Sequence, residues 1–243
     1  MSDCRRSAYG LRGYIRQMST GQRFLSRLEG DESLLRPLLM GLAAIVLLLA
    51  FVYAGSETME GDTRHFDMYL LHVAQSLRAG HPWLAGTMRD FSGLGSTVVL
   101  TLFTVATVVY LALFSSRTMA FLVATSVVTG AVLVSVFKTA FGRLRPDAVF
   151  AELVTPGLSF PSGHASMSAL VFLTIGALVA ASRSRVNERI YILATAALLA
   201  LLVGASRVLL GVHWATDVLG GWAFGTAWAM LWLVLARHFV KNR

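Results

Sequence analysis

Six stretches of this chain are apolar over nearly the length needed to cross a bilayer. They are Pro37–Ala54, Ser96–Phe114, Thr118–Phe137, Ala165–Ala181, Ile190–Leu210 and Thr216–Ala236. A membrane helix needs roughly 20 mostly apolar residues. Of the 243 residues, 56% are hydrophobic and only 14% charged, too little charge to cover the surface of a soluble domain. The expected fold class is all-α: a polytopic bundle of six transmembrane helices over residues 37–243, behind a basic cytoplasmic tail over residues 1–36. No second soluble domain fits in what remains. The first run exceeds the roughly 7–15-residue apolar core of a secretory signal, so it reads as an uncleaved span. Cys4 stands alone and forms no internal disulfide.

The net charge of +8 is distributed unevenly. Arg5, Arg6, Arg12, Arg16, Arg23, Arg27 and Arg36 precede the first span, and Arg117, Arg183, Arg185, Arg189, Arg237, Lys241 and Arg243 fall in alternate later loops or the tail. With six spans these lie on one side, which the positive-inside rule makes cytoplasmic, so both termini are expected there. The basic excess is thus mainly a topology signal, and nucleic acid is not an expected partner. On the other side Arg64, Arg78 and Arg89 are balanced by Glu57, Glu60, Asp62, Asp67 and Asp90. The segment before the first span has the spacing of a basic amphipathic helix, with a disordered tail as the alternative. Within residues 55–95, Phe66, Leu70, Val73, Ala74 and Leu77 follow helical spacing, which suggests a short helix at the outer interface.

Polar residues gather in three pieces on that outer side. The first, KTAFGRLRP, sets Lys138 seven residues before Arg145, two helical turns, with Pro146 ending the helix. Phosphate binding and snorkelling to headgroups are both open for this pair. The second, PSGH, suits a helix start with Ser162 as cap and with Gly163 and His164 offering N–H groups at the positive end of the helix; a simple cap is the alternative. The third, SRVLLGVHWATD, sets His213 four residues before Asp217. On a helix the carboxylate can then fix one imidazole nitrogen and leave the other as nucleophile or base, or the two can form a surface pair. Together the pieces offer Lys138, Arg145 and Arg207 as cations, with neutral donors, two histidines and one carboxylate. A doubly negative phosphoryl group needs such a set. No metal-ligating pattern is evident, and no cofactor is expected.

The ordered set Lys138-x6-Arg145-Pro146, Pro161-Ser162-Gly163-His164 and Ser206-Arg207-x5-His213-x3-Asp217 resembles the three-part signature of the type-2 phosphatidic acid phosphatase superfamily. The resemblance implies a metal-independent lipid phosphatase working through phosphohistidine at the outer face of a bacterial inner membrane. His213 would be the nucleophile, Asp217 its orienting group and His164 the acid. Lys138, Arg145, Ser162, Gly163 and Arg207 would hold the phosphoryl oxygens. The two histidines would start in opposite protonation states, giving a bell-shaped pH profile. Arg143, off the pattern, is expected to be a loop or headgroup cation. The expected partners are membrane lipids and a lipid phosphate substrate such as undecaprenyl diphosphate, phosphatidylglycerophosphate, phosphatidic acid or lipid A 1-phosphate. A phosphotransferase of the same fold is the alternative. A transporter is disfavoured, because ionisable residues sit at span ends rather than near the midplane.

Overall fold

The computed structural model describes Leu35 and residues 37–153 and 155–241. The expectation for the tail over residues 1–36 lies almost wholly outside the described residues. The chain divides into two units, Met1–Leu42 and Ala43–Arg243. Of the first, the described part is the start of α1 (Pro37–Glu60). The second holds the remainder of α1 and then α2 (Arg64–Gly80), α3 (Trp83–Leu94), α4 (Thr97–Phe114), α5 (Arg117–Phe141), α6 (Gly163–Ala181), α7 (Val186–Leu209) and α8 (Ala215–Lys241), with a 3-10 turn at Ala148–Phe150 between α5 and α6. Among the described residues, six helical lengths are long and apolar enough to cross a membrane, α3 and α4 together forming one of them. The all-α six-span expectation holds.

α6 is the centre of the bundle and packs chiefly on α7 and α8. Side chains all round it are buried, among them Ala165, Ala169, Leu170, Val171 and Phe172. Without a water-driven hydrophobic effect inside lipid, helix association relies on close packing of small residues. The facing side of α8 supplies Gly221 and Gly225, each close against the α6 backbone at Ser162 and Ser166. Elsewhere large apolar side chains turn outward, as in Leu102, Val109, Phe121 and Leu198, as a lipid-facing surface requires.

Two expectations about local structure are corrected. α5 ends at Phe141, before Pro146, because Gly142 adopts φ 62 and its N–H closes on the Lys138 carbonyl. Arg145 therefore lies in the following loop and shares no helical face with Lys138. His213 precedes α8 instead of stacking with Asp217 on it, because the chain turns at Gly211 (φ 70). A Cβ at Gly211 would collide with the Phe150 carbonyl, so the turn and the 3-10 segment are in direct contact.

The helix expected within residues 55–95 forms as α2, and its buried face mixes charged with apolar side chains. Asp67, Leu71, Ala74 and Arg78 are its buried face. Phe66, Val73 and Leu77 are exposed. Arg78 clasps the Phe150 carbonyl at 2.8 Å and the Leu209 carbonyl, and pairs with Glu152 at 3.1 Å. α2 is thus fastened to the end of α7 through polar groups.

Candidate active site

The site forms where the ends of α5, α6, α7 and α8 meet. Phe160 anchors it from below: fully buried, it stacks on Phe51 at 5.5 Å and meets Phe141 edge-on at 4.9 Å. Ser159 and Ser162, on either side of this anchor, are fully buried as well. Lys138, on the last turn of α5, donates to the carbonyls of Leu158 at 2.6 Å and Ser159 at 3.2 Å, which ties the helix end to the same segment.

His213 and Asp217 come together even though His213 lies in the turn before α8. Nδ1 of His213 lies 3.2 Å from Oδ2 of Asp217 and 3.2 Å from Oγ of Ser159. Ser159 itself donates to Oδ2 of Asp217. Oδ2 also accepts from the Trp214 N–H at 2.9 Å. These contacts place the Nδ1 proton toward Asp217 and Ser159 and leave the Nε2 lone pair directed away. There it meets Nη1 of Arg145 at 3.1 Å. Arg145 is held in turn by the carbonyls of Val212 at 2.8 Å and Gly157 at 3.0 Å. Burial pushes His213 down to about 4; contact with Asp217 opposes this, and the charges of Arg145 and Lys138 add to it. The imidazole is therefore a neutral base at neutral pH.

Ser162 sits at the N-cap of α6 without making a side-chain cap bond, a correction to its expected role. Its N–H donates to the Asp217 carbonyl at 3.0 Å, while its Oγ is buried without a hydrogen-bond partner. Arg207 donates through Nη1 to Ser92 at 2.6 Å, and its buried Nε is also without a partner. Buried polar atoms are nearly always paired. Two unpaired donors beside a cationic cluster point to an anionic ligand. Gly163 opens α6, whose first N–H groups have no partner within the helix. His164 follows on the same turn, and Arg207, His213, Arg145 and Lys138 all act on it electrostatically. The eight expected residues thus converge from four helix ends.

Three further residues belong to this cluster. Arg143, expected to be a loop or headgroup cation, is instead almost buried: its Nη1 reaches Asp217 at 2.7 Å and its Nη2 reaches Asp67 at 2.6 Å. Being off the motif spacing hid it, although its place between Lys138 and Arg145 was a signal. Asp67, assigned to balancing loop arginines, accepts from the Thr216 N–H at 3.0 Å and from its hydroxyl at 2.7 Å. Ser159 touches both members of the histidine–aspartate pair. Only its closeness to PSGH marked it.

Fold and site define a multi-pass, all-helical membrane protein with a cationic, histidine-bearing cluster at the helix ends. The family model of the PAP2 superfamily matches residues 119–241. Phosphatidylglycerophosphatase B of Bacillus subtilis is 35% identical over 185 residues, covering 74% of this chain and 88% of the relative. Lipid A 1-phosphatase of Rhizobium johnstonii is 34% identical over 115 residues, 43% of each chain. Among solved structures, the transmembrane PAP2-type phosphatidylglycerolphosphate phosphatase from Bacillus subtilis superposes with TM-score 0.75 at 26% identity, over 82% of this chain and 98% of that one. LpxE of Aquifex aeolicus superposes with TM-score 0.52 at 26% identity, over 69% and 94%. The chain belongs to the PAP2 superfamily.

Proposed function

We propose that this protein is a membrane phosphatase that hydrolyses a lipid mono- or diphosphate through a phosphohistidine, without a metal, at the outer face of the bacterial inner membrane. Residues 37–243 form the catalytic domain, both termini are cytoplasmic, and residues 1–36 are a basic cytoplasmic tail. The observation that carries this reading is the His213 imidazole, with Nδ1 held by Asp217 and Nε2 aimed at a cluster of phosphate-binding donors. Nε2 attacks phosphorus as the P–O bond to the lipid breaks, and His164 gives its proton to the departing oxygen. Water, losing its proton to His164, then attacks the phosphohistidine, releasing phosphate and restoring His213. Arg145 passes from Nε2 to a phosphoryl oxygen when substrate arrives. Lys138, Arg207, Ser162 and the Gly163 N–H hold the other oxygens, so that protein cations fill the part a metal takes elsewhere. Asp217 keeps the imidazole in its productive tautomer. Phosphatidylglycerophosphate leads the candidate substrates, because the relative matched over most of both chains is a phosphatidylglycerophosphatase.

The test is phosphate release by purified protein from phosphatidylglycerophosphate, phosphatidic acid, undecaprenyl diphosphate and lipid A 1-phosphate, with and without EDTA. His213→Ala is expected to lose about 10⁴-fold or more and to trap no ³²P-labelled histidine. Near-normal turnover in that variant would remove His213 as nucleophile. Loss of activity in EDTA, restored only by a divalent ion, would remove the metal-free route.

A further inference from the structure

We infer that Asp67 and Arg143 are positioning residues for the reaction, forming with Asp217 a buried carboxylate–guanidinium–carboxylate bridge that sets the direction and the charge of the group behind His213. The inference rests on the reading of His213 as nucleophile. Asp67 and Asp217 have fully buried side chains, and the Arg143 side chain is 12% exposed. The guanidinium is divided between them. Nη1 serves Asp217 and the Thr216 hydroxyl, both at 2.7 Å, and Nη2 serves Asp67 at 2.6 Å. Its Cζ also lies over Trp214, 5.3 Å from the ring centroid. A planar fork can meet both carboxylates at once, which the single ammonium of lysine cannot do with the same geometry. Asp67 is in turn locked onto the N–H and hydroxyl of Thr216, the residue before Asp217. The first turn of α8, and with it the Asp217 carboxylate, is thereby fixed from α2.

The charges have a consequence for chemistry. Two carboxylates and one guanidinium leave one net negative charge behind the imidazole, where positive charge develops as Nε2 bonds to phosphorus. A staple that only fastened α2 to α8 would need no such balance. The other groups facing His213 are Arg145 from the loop after α5, Lys138 from α5 and His164 from α6. Substitutions at 67 and 143 leave all of these unchanged.

The experiment compares Arg143→Gln, Arg143→Lys and Asp67→Asn, with kcat and KM measured separately and kcat/KM followed against pH. Arg143→Gln leaves both carboxylates uncompensated, so His213 protonates more readily. The acid limb should move up by about one pH unit, and kcat should fall about 10²-fold with KM little changed. Asp67→Asn removes a negative charge, so its limb should move the other way while kcat falls. Arg143→Lys keeps the charge and loses the fork, so it should hold the limb and lower kcat. If Arg143→Gln fails to purify folded, the difference between Asp67→Asn, whose limb shifts down, and Arg143→Lys, whose limb holds, decides. Limbs that stay in place in all variants, or kcat losses that merely follow lost thermal stability, would overturn the inference. Turnover persisting in His213→Ala would instead remove the nucleophile reading beneath it.

Discussion

At one end of the bundle, short connections at Ser115–Ser116 and Ser182–Arg185 join the helices. Their polar groups are conventional: Ser116 caps α5 through the Met119 N–H at 3.4 Å, and Arg185 pairs loosely with Glu188 at 3.9 Å with 83% of its side chain exposed. At the other end, the connections before α6 and α8 bring Asp67, Arg143, Ser159, Ser162, Arg207, His213 and Asp217 into or close to full burial. Both ends join the same apolar helices. A charge in water costs little and contributes little, whereas a buried one must be matched by partners or by a ligand. The contrast therefore separates charges that water satisfies from charges that need a protein partner or a ligand, and under the proposed function the second group carries the chemistry.

Substitutions at the two ends sharpen this contrast. Of three such substitutions, Arg207→Ala is expected to have the largest effect, because it removes a buried cation with one donor still unmatched. Phosphate release should drop about 10²–10³-fold, together with weaker inhibition by inorganic phosphate. Unchanged inhibition would break the link between burial and anion binding. Ser159→Ala comes next, since it deletes a hydroxyl touching both His213 and Asp217. About a 10-fold loss in kcat, with KM held, is the expected result of steady-state assay. The smallest effect belongs to Arg185→Ala, for which activity should match the parent and stability should change by less than about 0.5 kcal/mol. A thermal melt in detergent checks it, and a substantial drop would show that the two ends are not as different as their burial suggests.

The spans and the three polar motifs were legible in the sequence because both are local features: apolar runs of fixed length, and polar residues at fixed spacing between them. Asp67 was not legible. Its partners Arg143 and Thr216 lie 76 and 149 positions further along, and its burial exists only once α2 has docked. The same docking decides which side of α2 is covered: of the stripe read from helical spacing, Ala74 is buried while Phe66, Val73 and Leu77 are exposed. Arg143 looked like a headgroup cation because arginines near span ends usually are; what distinguishes it is two carboxylates converging from different helices. Where α5 stops turned on a single φ at Gly142, whereas Pro146 offered the more familiar stop signal.

The tight turn at Gly211 has a consequence for engineering. The Phe150 carbonyl fills the space a side chain would need, and it is itself gripped by Arg78, while the Glu152 N–H donates to the Leu210 carbonyl at 3.0 Å. These two loops and the helix above them are one mechanical part. In chimeras between homologues the α7–α8 corner will transplant only together with residues 148–152 and α2, and a saturation library at position 211 should return glycine alone.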